Sequence, residues 1–203
     1  MFNNAASIQP AETRTRRQQF VDAAAEKLLR LPPSTTDYTV ARGIPIRMRD
    51  GVELQGDHYA PTTTKERGTI LVRCPYGRSV PYSLFFARVY AARGYHVLLQ
   101  SCRGTFGSGG AFEPMLHEIN DAADTVAWLR EQPWFAGRIA TVGLSYLGFT
   151  QWALLMDPPP ELVTSVIVVG PHDFSRAAYG TGAFALNDFL AWSDVVVGQE
   201  ERG

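Results

Sequence analysis

The sequence predicts an α/β fold in which helices flank a mostly parallel β-sheet. From residue 69 onward, apolar runs typical of buried strands alternate with segments of helical periodicity. This alternation is the order that the crossover connections of a parallel sheet require. A second indication is the Gly-Leu-Ser-Tyr sequence at 143–146, which lies directly between one apolar run and the next helical segment. It predicts a sharp strand-to-helix turn at the end of a strand.

Composition limits the classes of protein to which the chain can belong. It has 203 residues, of which 45% are hydrophobic and 19% charged, so one globular domain with a sizeable core is expected. A formal net charge of −1 offers no basic surface for a phosphate backbone, so no nucleic-acid partner is expected. The sequence contains neither the roughly 18 apolar residues of a membrane span nor an N-terminal signal-peptide core. We therefore expect a cytoplasmic protein with no membrane partner.

The first predicted element is a helix over residues 13–31, which Pro32 and Pro33 end. Acidic residues lie in or beside this segment along with its arginines, namely Glu12, Asp22 and Glu26, which favours a solvated face over a basic patch. Apolar residues at helical spacing predict one face packed on the protein: Phe20, Val21, Ala24, Leu28 and Leu29.

Strands and further helices follow in order. Alternating residues on both sides of Asp50-Gly51 predict two antiparallel strands joined by a tight turn. The run GTILVRCPY is typical of a strand covered on both faces. Helices are then predicted over 84–93, 119–131 and 146–156, and strands over 94–100, 138–143 and 163–169; after Phe174 the pattern indicates helical stretches but no further parallel strand.

The helix over 119–131 is expected to pack one face on the sheet. Asp121 and Asp124 lie in its first turns, where carboxylates complement the partial positive charge of a helix start, so we interpret them as structural. The residues predicted to face the sheet are Ala122, Ala123, Val126, Ala127 and Leu129.

Ser145 is the candidate nucleophile, because it lies in the strand-to-helix turn. Such a turn strains the backbone, requires a small residue two positions earlier, where Gly143 stands, and lifts the hydroxyl clear of the sheet. The usual G-x-S-x-G form would have glycine in place of Leu147, whereas here Gly148 comes one place later. The alternative is a serine that only caps the helix, and Ser145 could serve as both.

Tyr76, after the first buried strand, is a candidate oxyanion-hole donor. In this architecture the loop after that strand supplies such a donor, and a tyrosine hydroxyl can serve as well as a backbone amide. The alternative is an aromatic residue that covers the sheet with its hydroxyl in water, and spacing alone does not decide between them.

Neither a cofactor nor a metal is expected. The glycine-rich loop at 103–110 fits neither a P-loop nor a dinucleotide fingerprint, so an active-site rim is more plausible than a nucleotide site. Arg103 in that loop is interpreted as a structural residue that ties loops together. Cys74 and Cys102 lie in or at the end of apolar runs, which favours buried thiols over a disulfide or metal ligands.

The chain offers no convincing acid and base for Ser145. In this architecture they follow the nucleophile, and only Asp157 and His172 occur in that order. His172 follows the very next strand and Asp157 ends the nucleophile helix, so we reject this pair. Only 58 residues follow Ser145, too few for the remaining strands and the loops of the acid and base, and the chain is expected to be truncated.

The segments IRMRDGVELQGDHYAP, RCPYGR, QSCRGTFGSGGAFEP and WLREQPWFAGRIATVGLSYLGFTQWA, with the strand before GPHD, together resemble one family. It is the CocE/NonD hydrolases, which are close to the X-Pro dipeptidyl-peptidases and the α-amino-acid ester hydrolases. The resemblance runs from Ile46 to about Asp173. Many members carry an aspartate where this chain has Ser101-Cys102, so the hydrogen bonding behind the glycine-rich loop is expected to differ.

The resemblance implies an α/β-hydrolase fold, incomplete at the C-terminus, that acts on small-molecule esters or amides. Ser145 would be the nucleophile, and the Tyr76 hydroxyl and the Tyr146 backbone N–H would form the oxyanion hole. The triad Asp and His would lie outside this chain. The predicted domains are an N-terminal helical extension (1–37), the hydrolase domain (38–173) and the start of a helical cap (174–203).

Two further expectations concern the chain by itself. An alternative to the enzyme is an inactive fragment or pseudoenzyme with a binding role only. A sheet without its last strands would expose an apolar edge, which favours association into a homo-oligomer.

Overall fold

The computed structural model describes residues 10–200, so residues 1–9 of the predicted extension and 201–203 of the predicted cap lie outside it. Its strands and helices alternate as the sequence predicts, and the predicted helix over 84–93 begins with a wide π-helical segment, Leu84–Arg88. The elements are β1 (Glu12–Thr13), α1 (Arg16–Leu28), β2 (Tyr38–Arg47), β3 (Glu53–Pro61), β4 (Thr69–Cys74), α2 (Val89–Ala91), β5 (His96–Ser101), α3 (Glu118–Arg130), β6 (Ile139–Leu144), α4 (Tyr146–Leu154), β7 (Leu162–Val168), α5 (Phe174–Tyr179) and α6 (Leu186–Gly198).

The strands form one seven-stranded sheet in the order β1-β2-β3-β5-β4-β6-β7. The four strands β5, β4, β6 and β7 are parallel neighbours, and β3, β2 and β1 continue the sheet in antiparallel fashion. The carboxyl ends of the parallel strands therefore meet at one edge, where open α/β sheets bind their ligands.

The predicted hairpin is confirmed. Arg47 pairs with Glu53 across β2 and β3. Gly51 has a φ of 87°, and the Asp50 carboxylate accepts a hydrogen bond from the Val52 N–H at 3.1 Å. Both residues therefore have a physical role in the turn.

Alternate residues of β4 pack into two cores, one on each face of the sheet. Ile70 and Val72 belong to the first core, whereas Leu71 belongs to the second, which includes residues of α3. Cys74 and Cys102 are buried free thiols, as predicted. The near-continuous apolar pattern of β4 reflects this burial on both sides.

The predicted packing of α1 is wrong. Phe20 and Leu28 are 76% and 82% exposed, and Ala25 is the buried residue of the helix. The helix instead docks through Asp22, whose carboxylate accepts a hydrogen bond from the Tyr38 hydroxyl at 2.9 Å and pairs with Arg88 at 2.5 Å. Apolar spacing did not identify the packed face because charge pairing holds it.

The start of α1 also differs from the prediction. Thr13, predicted to be helical, pairs with Thr39 of β2 in a short edge strand. The helix begins at Arg16 because Thr15 and Gln18 form a capping box, in which each side chain accepts a hydrogen bond from the other residue's backbone N–H.

The face of α3 is only partly as predicted. Ala122, Val126 and Leu129 are buried, but Ala123 and Ala127 are exposed. Asp121 is 1% exposed and pairs with Arg103 at 2.6 Å, so its carboxylate belongs to a buried ion pair. The position of Asp121 in the first turn of the helix therefore does not by itself explain why an aspartate stands there.

Strand β7 pairs with β6 alone among the described strands. Its Val163, Val166 and Val168 are at least half exposed. Within residues 10–200, no helix combines the length and apolarity needed to cross a bilayer.

Candidate active site

Ser145 occupies the turn between β6 and α4 with a φ of 55° and a ψ of −122°. This conformation is strained for any residue with a Cβ atom. Three backbone hydrogen bonds fix it: the Ser145 N–H donates to the Val168 carbonyl at 3.0 Å, and the Gly148 and Phe149 N–H groups donate to the Ser145 carbonyl at 2.9 and 3.1 Å. The turn therefore has the geometry of a nucleophile elbow.

Two glycines make room for this turn. A Cβ atom on Gly143 would lie 2.4 Å from the Cβ of Leu147, and one on Gly148 would lie 2.6 Å from the Cα of Gly170. The second contact is between two backbones, so α4 can approach the segment after β7 only at a glycine. This geometry explains why the glycine after the serine stands at 148, while Leu147 is buried in the core.

The Tyr76 hydroxyl lies beside the side chain of Ser145. It makes a hydrogen bond with Ser145 and accepts another from the Trp192 indole Nε1 at 3.0 Å. Burial raises the pKa of Tyr76, and these two hydrogen bonds act in the opposite direction. The phenol therefore keeps its proton at neutral pH and can donate a hydrogen bond to an oxyanion.

Tyr146 is the first residue of α4, so its backbone N–H has no acceptor within the helix. Its side chain is buried, donates from the hydroxyl to Glu118 at 2.9 Å and accepts from the Met115 N–H at 2.8 Å. Burial, followed by the charge of Glu118, raises the pKa of this hydroxyl. These contacts fix the position of Tyr146, the first residue of α4, directly after Ser145.

A cavity of about 140 Å³ opens beside Ser145. It is mostly apolar, and one carboxylate lies in its wall. The lining residues are Ser145, Tyr146, Pro171, Phe174, Asp188, Phe189 and Trp192. Helices α5 and α6 thus form the wall opposite Ser145.

The loops around the site are held by charged groups. Arg103 pairs with Asp121 at 2.6 Å and with Asp50 at 2.8 Å, which accords with a structural role. Its hydrogen bond to Asp121 raises the pKa of this guanidinium. A Cβ on Gly104 would lie 2.1 Å from the Phe112 N, so the loop folds tightly on itself.

Ser101 takes part in a second set of contacts behind the glycine-rich loop. Arg78 donates to the Ser101 hydroxyl, to the Phe106 carbonyl at 3.1 Å and to the Asp57 carboxylate at 3.0 Å. Arg78 lies two residues after Tyr76, so its contacts connect the loop that carries Tyr76 to the glycine-rich loop. Neither Arg78 nor Asp57 is among the residues predicted to belong to the site.

The four histidines all make contacts away from Ser145. His58 and His96 are stacked with Trp134, His117 contacts Glu113 at 2.9 Å, and the ring of His172 packs on Trp152. None of them lines the cavity beside Ser145. Asp157 lines a different cavity, with Pro158–Pro160, so it does not join His172 at the site.

The structure thus brings Ser145, Tyr76 and Tyr146 together, as the sequence analysis grouped them. It adds Trp192, which lies 116 positions from Tyr76, so no local spacing pattern could have indicated the contact. It also adds Glu118, whose position at a helix start suggests only a favourable charge. Among residues 10–200, no cluster of three or more His, Cys, Asp or Glu side chains could hold a metal ion.

Comparison with known proteins gives consistent matches. The family model described as X-Pro dipeptidyl-peptidase (S15 family) matches residues 50–202. Cocaine esterase of Rhodococcus sp. (strain MB1 Bresler) is 34% identical over 166 residues, which cover 79% of this chain and 29% of that protein.

Solved structures are similar as well. An aminopeptidase from the marine sediment archaeon Thaumarchaeota archaeon has a TM-score of 0.54 and 29% identity, covering 66% of this chain and 26% of its own. A CocE/NonD family hydrolase from Staphylococcus aureus has a TM-score of 0.62 and 23% identity, covering 69% and 29%. The chain therefore spans between 26% and 29% of the length of these three proteins.

Proposed function

Because this chain belongs to the X-Pro dipeptidyl-peptidase (S15) family of hydrolases, we propose that it carries the nucleophile and the oxyanion hole of a serine hydrolase. Its fold is the α/β-hydrolase fold that the sequence predicts. One observation carries the proposal: Ser145, whose backbone is strained, lines an apolar cavity, and its side chain interacts with the Tyr76 hydroxyl.

The proposed reaction is acyl transfer to water through a covalent intermediate. The Ser145 oxygen attacks the carbonyl carbon of an ester or amide while its proton passes to a general base. The Tyr76 hydroxyl and the Tyr146 N–H hold the negative carbonyl oxygen. The intermediate then releases an alcohol or amine, which takes the proton from the base, and water cleaves the acyl-enzyme in the same way.

The general base is proposed to come from outside residues 10–200, because none of the four histidines lines the cavity beside Ser145. The substrate class is proposed from the cavity. Its small volume and apolar lining suit the acyl group of a small ester or amide.

Covalent labelling of the full-length protein tests the nucleophile. A fluorophosphonate probe should form one adduct, which peptide mass spectrometry maps to Ser145, and Ser145→Ala should abolish both the adduct and turnover of p-nitrophenyl acetate. Ser175→Ala is the matched control, because Ser175 is an exposed serine next to the cavity residue Phe174 and should leave labelling intact.

Turnover by Tyr76→Phe tests the oxyanion hole. Loss of one donor should lower kcat by about a hundredfold to a thousandfold, the effect of removing about 2.7–4 kcal/mol of transition-state stabilisation. An adduct on a different residue, or unchanged turnover in both Ser145→Ala and Tyr76→Phe, would refute the proposal. A full-length protein that forms no adduct would favour a binding role instead.

A further inference from the structure

The indole of Trp192 contacts the side chains of Tyr76 and Tyr146, the two residues proposed to form the oxyanion hole. Its Nε1 donates to the Tyr76 hydroxyl at 3.0 Å. Its ring lies nearly parallel to that of Tyr146, with an angle of 10° and a centroid separation of 6.0 Å. Trp192 therefore does more than fill one wall of the cavity.

The direction of the Trp192–Tyr76 hydrogen bond is fixed by chemistry. An indole N–H can only donate, so the phenol oxygen must accept. The single proton of the Tyr76 hydroxyl is then free for its other partner, which is the Ser145 side chain. From this we propose that Trp192 is a positioning residue that turns the Tyr76 proton toward the nucleophile and the oxyanion formed on it; the inference rests on the proposed function.

Helix α6 holds the indole in this position. Near the C-terminal end of the helix, the Gln199 side-chain amide donates to the Pro75 carbonyl at 2.8 Å, one residue before Tyr76. The Glu200 carboxylate accepts from the Phe106 N–H of the glycine-rich loop at 2.9 Å. One helix thus contacts the hydroxyl of Tyr76, the backbone beside it and the adjoining loop.

Accepting a hydrogen bond also makes the phenol a better donor. Chains of hydrogen bonds polarise one another, and the effect is larger in a partly dry site. The interaction is already formed before the substrate binds, so it requires no reorganisation as charge develops on the carbonyl oxygen. Loss of the indole N–H should therefore slow the chemical step and leave substrate binding nearly unchanged.

The test compares two replacements of Trp192 in the full-length protein, with p-nitrophenyl acetate as substrate. Trp192→Phe removes the N–H and keeps an aromatic ring, and replacement by 3-benzothienylalanine keeps the shape of the indole without the N–H. Both should lower kcat about tenfold, the effect of one hydrogen bond, and change KM less than twofold. Phe189→Leu, which alters the cavity wall without a polar group, should change KM instead.

A double-mutant cycle with Tyr76→Phe separates positioning from a merely structural role. In the Tyr76→Phe background, loss of the Trp192 N–H should have no further effect on kcat, because the hydroxyl it orients is gone. Additive losses, or an effect on KM alone, would overturn the inference and leave the proposed function standing. If Tyr76→Phe itself retains full activity, both the oxyanion assignment and the inference are wrong.

Discussion

At the scale of single residues, the strained turn at Ser145 depends on close backbone contacts that only glycine permits. Gly148 lies against Gly170, and an added Cβ would come within 2.6 Å of the Gly170 Cα. Because the neighbour is backbone rather than a flexible side chain, the two segments must move apart to accept a methyl group. That movement would also disturb the Gly148 N–H, which donates to the Ser145 carbonyl.

Gly148→Ala should therefore lower the free energy of unfolding by about 1–3 kcal/mol, the usual cost of overpacking. Urea unfolding followed by circular dichroism measures the change. Gly109→Ala is the matched control: Gly109 does not have a positive φ, and the nearest atom to its added Cβ would be the Glu53 carbonyl oxygen at 3.3 Å, so its loss should be smaller. Equal losses in the two variants would contradict the steric explanation.

A second residue-scale feature is the stacked pair His58 and His96. The His58 Nε2 and the His96 Nδ1 are 2.9 Å apart, the His58 ring stacks on Trp134 at 3.9 Å, and the His96 Nε2 faces Glu66 at 3.2 Å. Burial, followed by the charge of His96, lowers the pKa of His58 from 6.5 to about 3. His58 therefore stays neutral in the folded state.

This shift predicts a loss of stability in mild acid. Below pH 6.5 the unfolded chain binds a proton at His58 that the folded protein binds only near pH 3, so acid favours unfolding. Between pH 7 and pH 5 the free energy of unfolding should fall by about 2 kcal/mol from this group alone. His58→Phe keeps the stacking and should show a pH dependence smaller by that amount in urea unfolding. Identical pH dependence in the two proteins would show that His58 does not titrate in this way.

At the scale of elements, charge pairs fix the position of helix α1. The spacing of its apolar residues does not predict which face of the helix packs on the protein. Asp22 contacts Tyr38 and Arg88, which lie on β2 and at the end of the π-helical segment, and it also pairs with Arg14 at 3.1 Å. A single carboxylate thus joins the helix to two other parts of the fold. The periodicity of a sequence shows where apolar residues recur. It does not show which acidic side chain pairs with which basic side chain.

Asp22→Ala should loosen the docking of α1, because it leaves Arg88 without its counter-charge and the Tyr38 hydroxyl without its acceptor. The free energy of local opening, measured by hydrogen exchange of the α1 amides, should fall by about 1–3 kcal/mol. Phe20→Ala removes a ring that is 76% exposed and should change it by less than about 0.5 kcal/mol. A larger effect from Phe20→Ala than from Asp22→Ala would instead support packing through the apolar face that the sequence predicts.

The same contrast explains how far the sequence could predict the fold and the site. Buried strands such as β4 and the turn at Ser145 have local signals, because continuous apolar runs and a glycine two positions before a serine depend on nearby residues only. The exposed Ala123 and the contact between Trp192 and Tyr76 depend on how distant elements meet. Alanine fits either face of a helix, so its periodicity is a weak guide.

At the scale of the whole molecule, a buried ionic network joins the sheet to the candidate active site. Arg73 of β4 pairs with Glu118 of α3 at 2.8 Å and lies 3.8 Å from Asp121, which in turn pairs with Arg103 of the glycine-rich loop. The Glu118 carboxylate also accepts from the Tyr146 hydroxyl. Burial by itself lowers the pKa of Arg73, but the charge of Glu118 and of other neighbouring groups raises this pKa above its ordinary value.

Glu118→Gln should consequently destabilise the whole protein rather than one loop. The change leaves the Arg73 guanidinium buried at 2% side-chain exposure without its closest counter-charge, and breaking such a pair costs about 3–5 kcal/mol. Glutamine can still accept from the Tyr146 hydroxyl, so the loss reflects the missing charge and not the missing hydrogen bond. Urea unfolding measures this loss, with Glu113→Gln as the control, because that carboxylate is 56% exposed and pairs with His117 at the surface. Near-equal stability of the two variants would mean that Asp121 alone compensates the charge of Arg73. The network would then stabilise the turn at Ser145 through packing and not through the charge of Glu118.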